Sequence, residues 1–250
     1  MDFTLKTYKE LLIDLKSGNY QFVTFERFCE GNLPEKFIIL RHDVDLKAEN
    51  SLQTAKIEHN LNINASYYFR IVRQSNKDLI IRQIAELGHE IGYHYEDLSI
   101  FKGNEHEAIK HFEKQLTYFR KFYPIRTICM HGSPKSKIDN RNIWKKYDYH
   151  HFGIIGEPYF DVNFNEIFYL TDTGRSWNGE KFSVRDKVES SFVQKFSTTE
   201  QIINTVKLNN LPDKIMITTH PQRWTNNRFE WIKELILQFI KNIVKQLIIK

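Results

Sequence analysis

Short apolar runs alternate with helix-like stretches along this chain, and run after run stops at a histidine or a carboxylate. Residues 36–40 (KFIIL), 65–70 (ASYYFR), 90–94 (EIGYH), 126–130 (RTICM), 168–170 (FYL) and 214–219 (KIMITT) read as strands, being short and rich in β-branched and aromatic residues. Between them, residues 46–59, 77–87, 140–146 and 198–208 read as helices, as does the face formed by Ala108, Ile109, Phe112, Leu116 and Phe119. Gly88 stands where one helix stops, and Thr198 or Thr199 where another starts. Before the first strand, Tyr8, Leu11, Leu12 and Leu15 recur at helical spacing up to Gly18. Such alternation predicts an α/β fold with a parallel sheet, and in parallel sheets ligands bind beyond the carboxyl ends of the strands.

Composition narrows the class further. The chain has 250 residues, 41% hydrophobic and 27% charged, which is enough for a sizeable core in one domain spanning residues 1–250. A net charge of +5 with no run of five like charges argues against nucleic-acid binding. Cys29 and Cys129 stand apart and neither belongs to a CxxC pair, so a disulfide framework and a cysteine-based zinc site are excluded. The N-terminal stretch has no basic region followed by an apolar one, and no apolar run reaches the ~18 residues of a membrane span. The expectation is a cytoplasmic protein without a transmembrane segment.

Five segments carry chemistry. Arg41-His42-Asp43-Val44-Asp45 follows the first strand, and two carboxylates one residue apart can divide labour there. One can bind a cation while the other takes a proton. Gly88-His89-Glu90-Ile91-Gly92-Tyr93-His94-Tyr95-Glu96-Asp97 holds two histidines five apart, unlike the helical spacing at which both would share a face. Only His94 is therefore expected to enter a site, with His89 a loop or cap residue. Cys129-Met130-His131-Gly132-Ser133-Pro134, Thr171-Asp172-Thr173-Gly174-Arg175-Ser176-Trp177 and Thr218-Thr219-His220-Pro221-Gln222-Arg223-Trp224 each set a titratable residue beside Gly or Pro at a strand exit.

RHDVD, ASYYFR, GHEIGYH, a long helix and a late His-Pro, in that order over residues 36–224, resemble the NodB-type polysaccharide deacetylases of carbohydrate esterase family 4. The resemblance implies a distorted (β/α) barrel and metal-dependent removal of an N- or O-acetyl group from a sugar. It makes Asp43 the base and Asp45 a metal ligand, although the family's two aspartates are often adjacent. It makes His94 the first metal histidine; the family's second falls on Leu98, which cannot bind metal. The third ligand is then His131, with Glu96 and Asp97 as rivals. The arginine of the family's third motif is absent, leaving Arg41 or Arg175 to partner the base. His220 matches the general acid. Asp172, Arg175 and Trp177 loosely match the fourth motif and are expected to bind substrate. The implied cofactor is a divalent ion, zinc first.

Without an export signal, the expected substrate is an acetylated sugar or glycan intermediate of surface polysaccharide biosynthesis, met inside the cell. The loss of a histidine at Leu98 supports a different reading, an inactive metal-free barrel that binds a glycan or a partner protein. Residues 228–250 form an amphipathic helix with Phe229, Ile232, Ile236, Phe239, Ile240, Ile243 and Leu247 on one side. The expectation is that this stripe packs on the barrel; the lysines beside it, Lys233, Lys241, Lys245 and Lys250, leave peripheral membrane contact open.

Overall fold

A computed structural model describes residues 1–132, 136–177 and 188–249, with side chains up to 244 in the last helix. Ser133, Pro134 and Lys250, and the side chains of Lys245 and Leu247, lie outside the described residues. In chain order the elements are α1 (Leu5–Ser17), β1 (Gln21–Val23), α2 (Phe25–Glu30), β2 (Phe37–Val44), α3 (Ala48–Asn60), β3 (Ser66–Phe69), α4 (Asp78–Glu86), β4 (Glu90–Tyr95), α5 (Asp97–Ile100) and α6 (Glu105–Phe119). There follow β5 (Ile128–Met130), α7 (Pro158–Asp161), β6 (Phe168–Thr171), α8 (Thr199–Lys207), β7 (Lys214–Thr219) and α9 (Arg228–Ile249). Residues 140–146, expected as a helix, form a single 3-10 stretch, Asn140–Lys145.

Every strand pairing is parallel, in the order β5-β4-β3-β2-β7-β6. The result is a curled parallel half-barrel of the kind the sequence implied. β2 holds it together. One edge pairs with β7 from Phe37 to His42; the other pairs first with β1 (Phe37 to Ile39) and then with β3 (Arg41 to Val44). Beyond β5 the sheet gains one more bridge, Thr127 to Gly156.

The two-residue period of a strand sorts side chains between two sides of this sheet. On β2, Ile38, Leu40 and Val44 face the helix layer, while Phe37 and Ile39 join an inner cluster with Phe25, Tyr68, Cys129 and Met216. Arg41 and Asp43 continue that inner row, and Asp45 follows just past the strand end. The same parity sends Glu90, Gly92, His94 and Glu96 inward, along with Thr127, Cys129 and His131, and Met216, Thr218 and His220.

His42 points the other way. It sits in the helix layer between Thr219 (Oγ1–Nδ1 2.7 Å) and the buried carboxylate of Glu58 (2.9 Å). His89 joins the same polar core, bonded to the Ala55 carbonyl and the Ala65 amide. It is structural as expected, but fully buried rather than in an open loop. The apolar stripe of α9 departs most from expectation. Phe229, Ile232, Ile236, Phe239, Ile240 and Ile243 are exposed, because the helix presents its polar side to the barrel.

Candidate metal centre

The inner residues at the strand exits meet in a cavity of about 190 Å³, lined by Asp43, Asp45, His94, His131 and His220 together with Gln222, Arg223, Glu234, Gln238 and others. Each histidine is fixed through Nδ1, which leaves Nε2 facing inward. His94 Nδ1 donates to the Cys129 carbonyl (2.9 Å), His131 Nδ1 to Glu96 Oε2 (2.8 Å) and His220 Nδ1 to Asp172 Oδ1 (2.6 Å). A bond at one ring nitrogen selects the tautomer whose lone pair is at the other.

The three Nε2 atoms surround Asp45. His131 and His94 approach its Oδ1 at 3.5 and 3.6 Å, and His220 approaches Oδ2 at 3.9 Å. These are too long for hydrogen bonds. Asp45 Oδ1 is buried and accepts none, an exception that calls for a cause. Donors about 2.0–2.2 Å from a tetrahedrally held ion lie about 3.3–3.6 Å apart, and the His131 and His94 distances to Oδ1 fall at the upper end of that range. Asp43, His94 and Cys129 also bring donor atoms within 4.8 Å of one another. Asp43 and Cys129 are the poorer ligands of that group. Asp43 is engaged by Arg41 through both oxygens, at 2.8 and 2.7 Å, and the Cys129 thiol lies against the Met130 carbonyl.

The electrostatics fit a cation site. Burial resists charge on both aspartates, but the basic groups around them outweigh it. Arg41 and His94 hold Asp43 far below the usual carboxylate range, and His131, His220 and His94 bring Asp45 down to about 2. Burial keeps His94 on the neutral, ligating side. For His131 burial works the same way but is outweighed by Asp45 and Glu96, which push it up. Glu96 falls to about 2 despite burial, because His131 and Arg70 both donate to it. Glu96 therefore braces His131 from behind. The other rival, Asp97, faces away and bonds Tyr93 and His111.

The fourth motif reaches the cavity only through Thr173. Asp172 is fully buried and does not face the cavity. It accepts from His220, from Arg223 (2.5 Å) and from Trp224 Nε1 (2.8 Å), so it orients His220. Trp177 is a core residue, bonded to Thr199 and stacked near Phe3 and Trp224. Arg175 donates to the Trp231 carbonyl and lies over the rings of Phe3 and Trp231. None of the three lines the cavity, and the expected substrate wall is not formed by them. Leu98 is buried in the apolar core, away from any ligand position. Arg41 takes the place beside Asp43 that the sequence left open between Arg41 and Arg175, steadied by the Tyr159 hydroxyl (3.2 Å). Arg70, Arg223 and the α9 residues at the cavity were not anticipated. The first two are charges at strand exits, a signal the sequence did carry.

No protein-family model matches this sequence, and no curated protein matches it. Among solved structures, the chain is similar to BA3943, a CE4 family pseudoenzyme from Bacillus anthracis, at 11% identity and a TM-score of 0.46 over 83% of this chain. It spans 61% of that protein's length. It is also similar to the Xyl-CE4 domain of a multidomain xylanase from the hindgut metagenome of Trinervitermes trinervoides, at 15% identity and a TM-score of 0.41 over 85% of both chains. A third is the peptidoglycan deacetylase PdaC from Bacillus subtilis, at 10% identity and 0.39 over 85% of this chain and 97% of that one.

Proposed function

We propose that this chain is a metal-dependent hydrolase that removes an acetyl group from an acetylated sugar or glycan intermediate. The observation that carries the reading is the unpartnered Asp45 Oδ1, faced by the Nε2 atoms of two histidines whose other nitrogens are already committed. Two imidazoles and one carboxylate suit zinc. Asp45, His94 and His131 would hold the ion. When bound, it supplies a Lewis acid for the acetyl carbonyl and makes a water more acidic.

The chain's own groups do the rest. Asp43 takes the water's proton; Arg41 fixes both its oxygens and keeps it ionised at any working pH. His220 delivers a proton from Nε2 to the departing amine or alcohol, and Asp172, bonded to Nδ1 on its far side, holds the ring in place. Arg223 and Trp224 hold Asp172 in turn.

The test is acetate release from acetylated sugar oligomers by the zinc-loaded chain, beside metal analysis of the same sample. The parent is expected to bind one divalent ion and release acetate, and Asp45→Ala to do neither. A parent that retains no ion after loading, or an Asp45→Ala variant as active as the parent, sinks the proposal in favour of a metal-free binding barrel.

A further inference from the structure

α9 carries its polarity the wrong way round for a helix packed on a protein in water. The side chains turned toward the barrel are polar. Glu234 and Gln238 are 7% and 4% exposed and line the cavity, and Asn242 donates to the Gly174 carbonyl. The outward face is apolar: Phe229 is 73% exposed and Phe239 65%, with Ile232, Ile236, Ile240 and Ile243 between and beyond them. At 100° per residue these make a continuous stripe over residues 229–243, about 21 Å of the helix. An exposed apolar face of that extent marks an interaction surface. The sequence length and pattern do not allow a span, for no described helix is long and apolar enough to cross a membrane.

Charge selects the occupant. Arg228 and Lys233 are exposed and flank the stripe, one on each side, while Lys241 turns to the cavity. The two acidic residues of the helix are withdrawn: Glu230 is tied to Lys47 at 2.7 Å, and Glu234 is buried. Two copies packed through this face would set cations against cations, whereas an anionic surface neutralises them. We infer that α9 docks the protein on an anionic lipid surface, lying in the interface plane with its stripe in the acyl boundary and Arg228 and Lys233 among the headgroups. Its inward face then closes one wall of the cavity at headgroup depth.

The probe is sedimentation of the full chain with vesicles of phosphatidylcholine alone and of phosphatidylcholine mixed with phosphatidylglycerol. Binding is expected to the mixed vesicles, weakening as salt is raised. Ile236→Ser/Phe239→Ser is expected to lower that affinity at least about tenfold. Both side chains are exposed, so its circular dichroism and melting should match the parent. An absence of parent binding to the anionic vesicles overturns the inference. So does a parent dimer, measured by light scattering, that the double substitution splits, since a second copy would then be the occupant. Neither readout involves acetate release, so the hydrolase reading stands or falls separately.

Discussion

Glu96 braces His131 as a backbone carbonyl braces His94, with the difference that a carboxylate also supplies charge. Glu96→Gln keeps an acceptor but loses the charge and weakens the Arg70 pairing. Metal affinity is expected to fall about 10–100-fold, read by chelator competition. Asp43→Asn is expected to cost stability as well as activity, about 3–5 kcal/mol by urea melting, because it breaks a buried pair in which Arg41 has both hydrogen bonds. Near the opposite end of the inner row, Glu90 is pushed by burial up to about 7, against an ordinary value of 4.5, with Ser66, Thr127 and the Glu26 amide donating to it. The folded state then binds the extra proton between about pH 4.5 and 7, so this group's contribution to stability falls as pH rises through that window and is flat above it. Glu90→Gln is expected to flatten the loss, so that the variant gains on the parent at pH 8 and not at pH 4. Equal pH profiles in denaturant melts would contradict this. The convergence of Asp43, Asp45, His94, His131 and His220 was legible in sequence because each lies at or within a residue of the carboxyl end of an apolar run. What each back side touches was not: Arg70 and Arg223 reach their partners across other strands, and spacing along one strand carries no such information.

At the scale of the element, β4 shows how one missing Cβ shapes the lumen. A methyl carbon at Gly92 would lie 2.3 Å from the Tyr68 ring, in a fully buried layer. Gly92→Ala is expected to destabilise by about 1–3 kcal/mol through overpacking, measured as a shift in denaturant midpoint with an unchanged slope. The long helices and six of the strands were legible, with ends off by a residue or two because caps decide them. β1 was not: three residues, QFV, are too few to show alternation, and its place depends on a vacant half-edge of β2. α9 was legible as a stripe but not as a face. Periodicity says that apolar residues share a side, and only the packed structure says that this side is turned outward.

For the whole molecule, Asp45, His94 and His131 come from the ends of β2, β4 and β5, so an ion held by them would link three strands of the sheet. Binding to the folded state alone stabilises it by about 2.7 kcal/mol at a hundredfold excess over Kd. The melting temperature is therefore expected to rise with added zinc and to drop with chelator in the parent, and to respond to neither in Asp45→Ala. A parent melt indifferent to both would contradict the metal centre independently of any substrate.

The double pairing of β2 also has a consequence for the order in which the molecule can be made. Its partner on one edge, β7, pairs His42 with Thr219 across most of the chain. During synthesis that edge of β2 stays open until nearly the last strand leaves the ribosome, and closing so long a loop is slow. His220, which follows β7 directly, cannot face Asp45 before then. A nascent chain stalled short of residue 214 should thus carry β1 and β3 on β2, with β4 on β3, and still expose an unpaired strand edge, the state in which a chaperone would meet it.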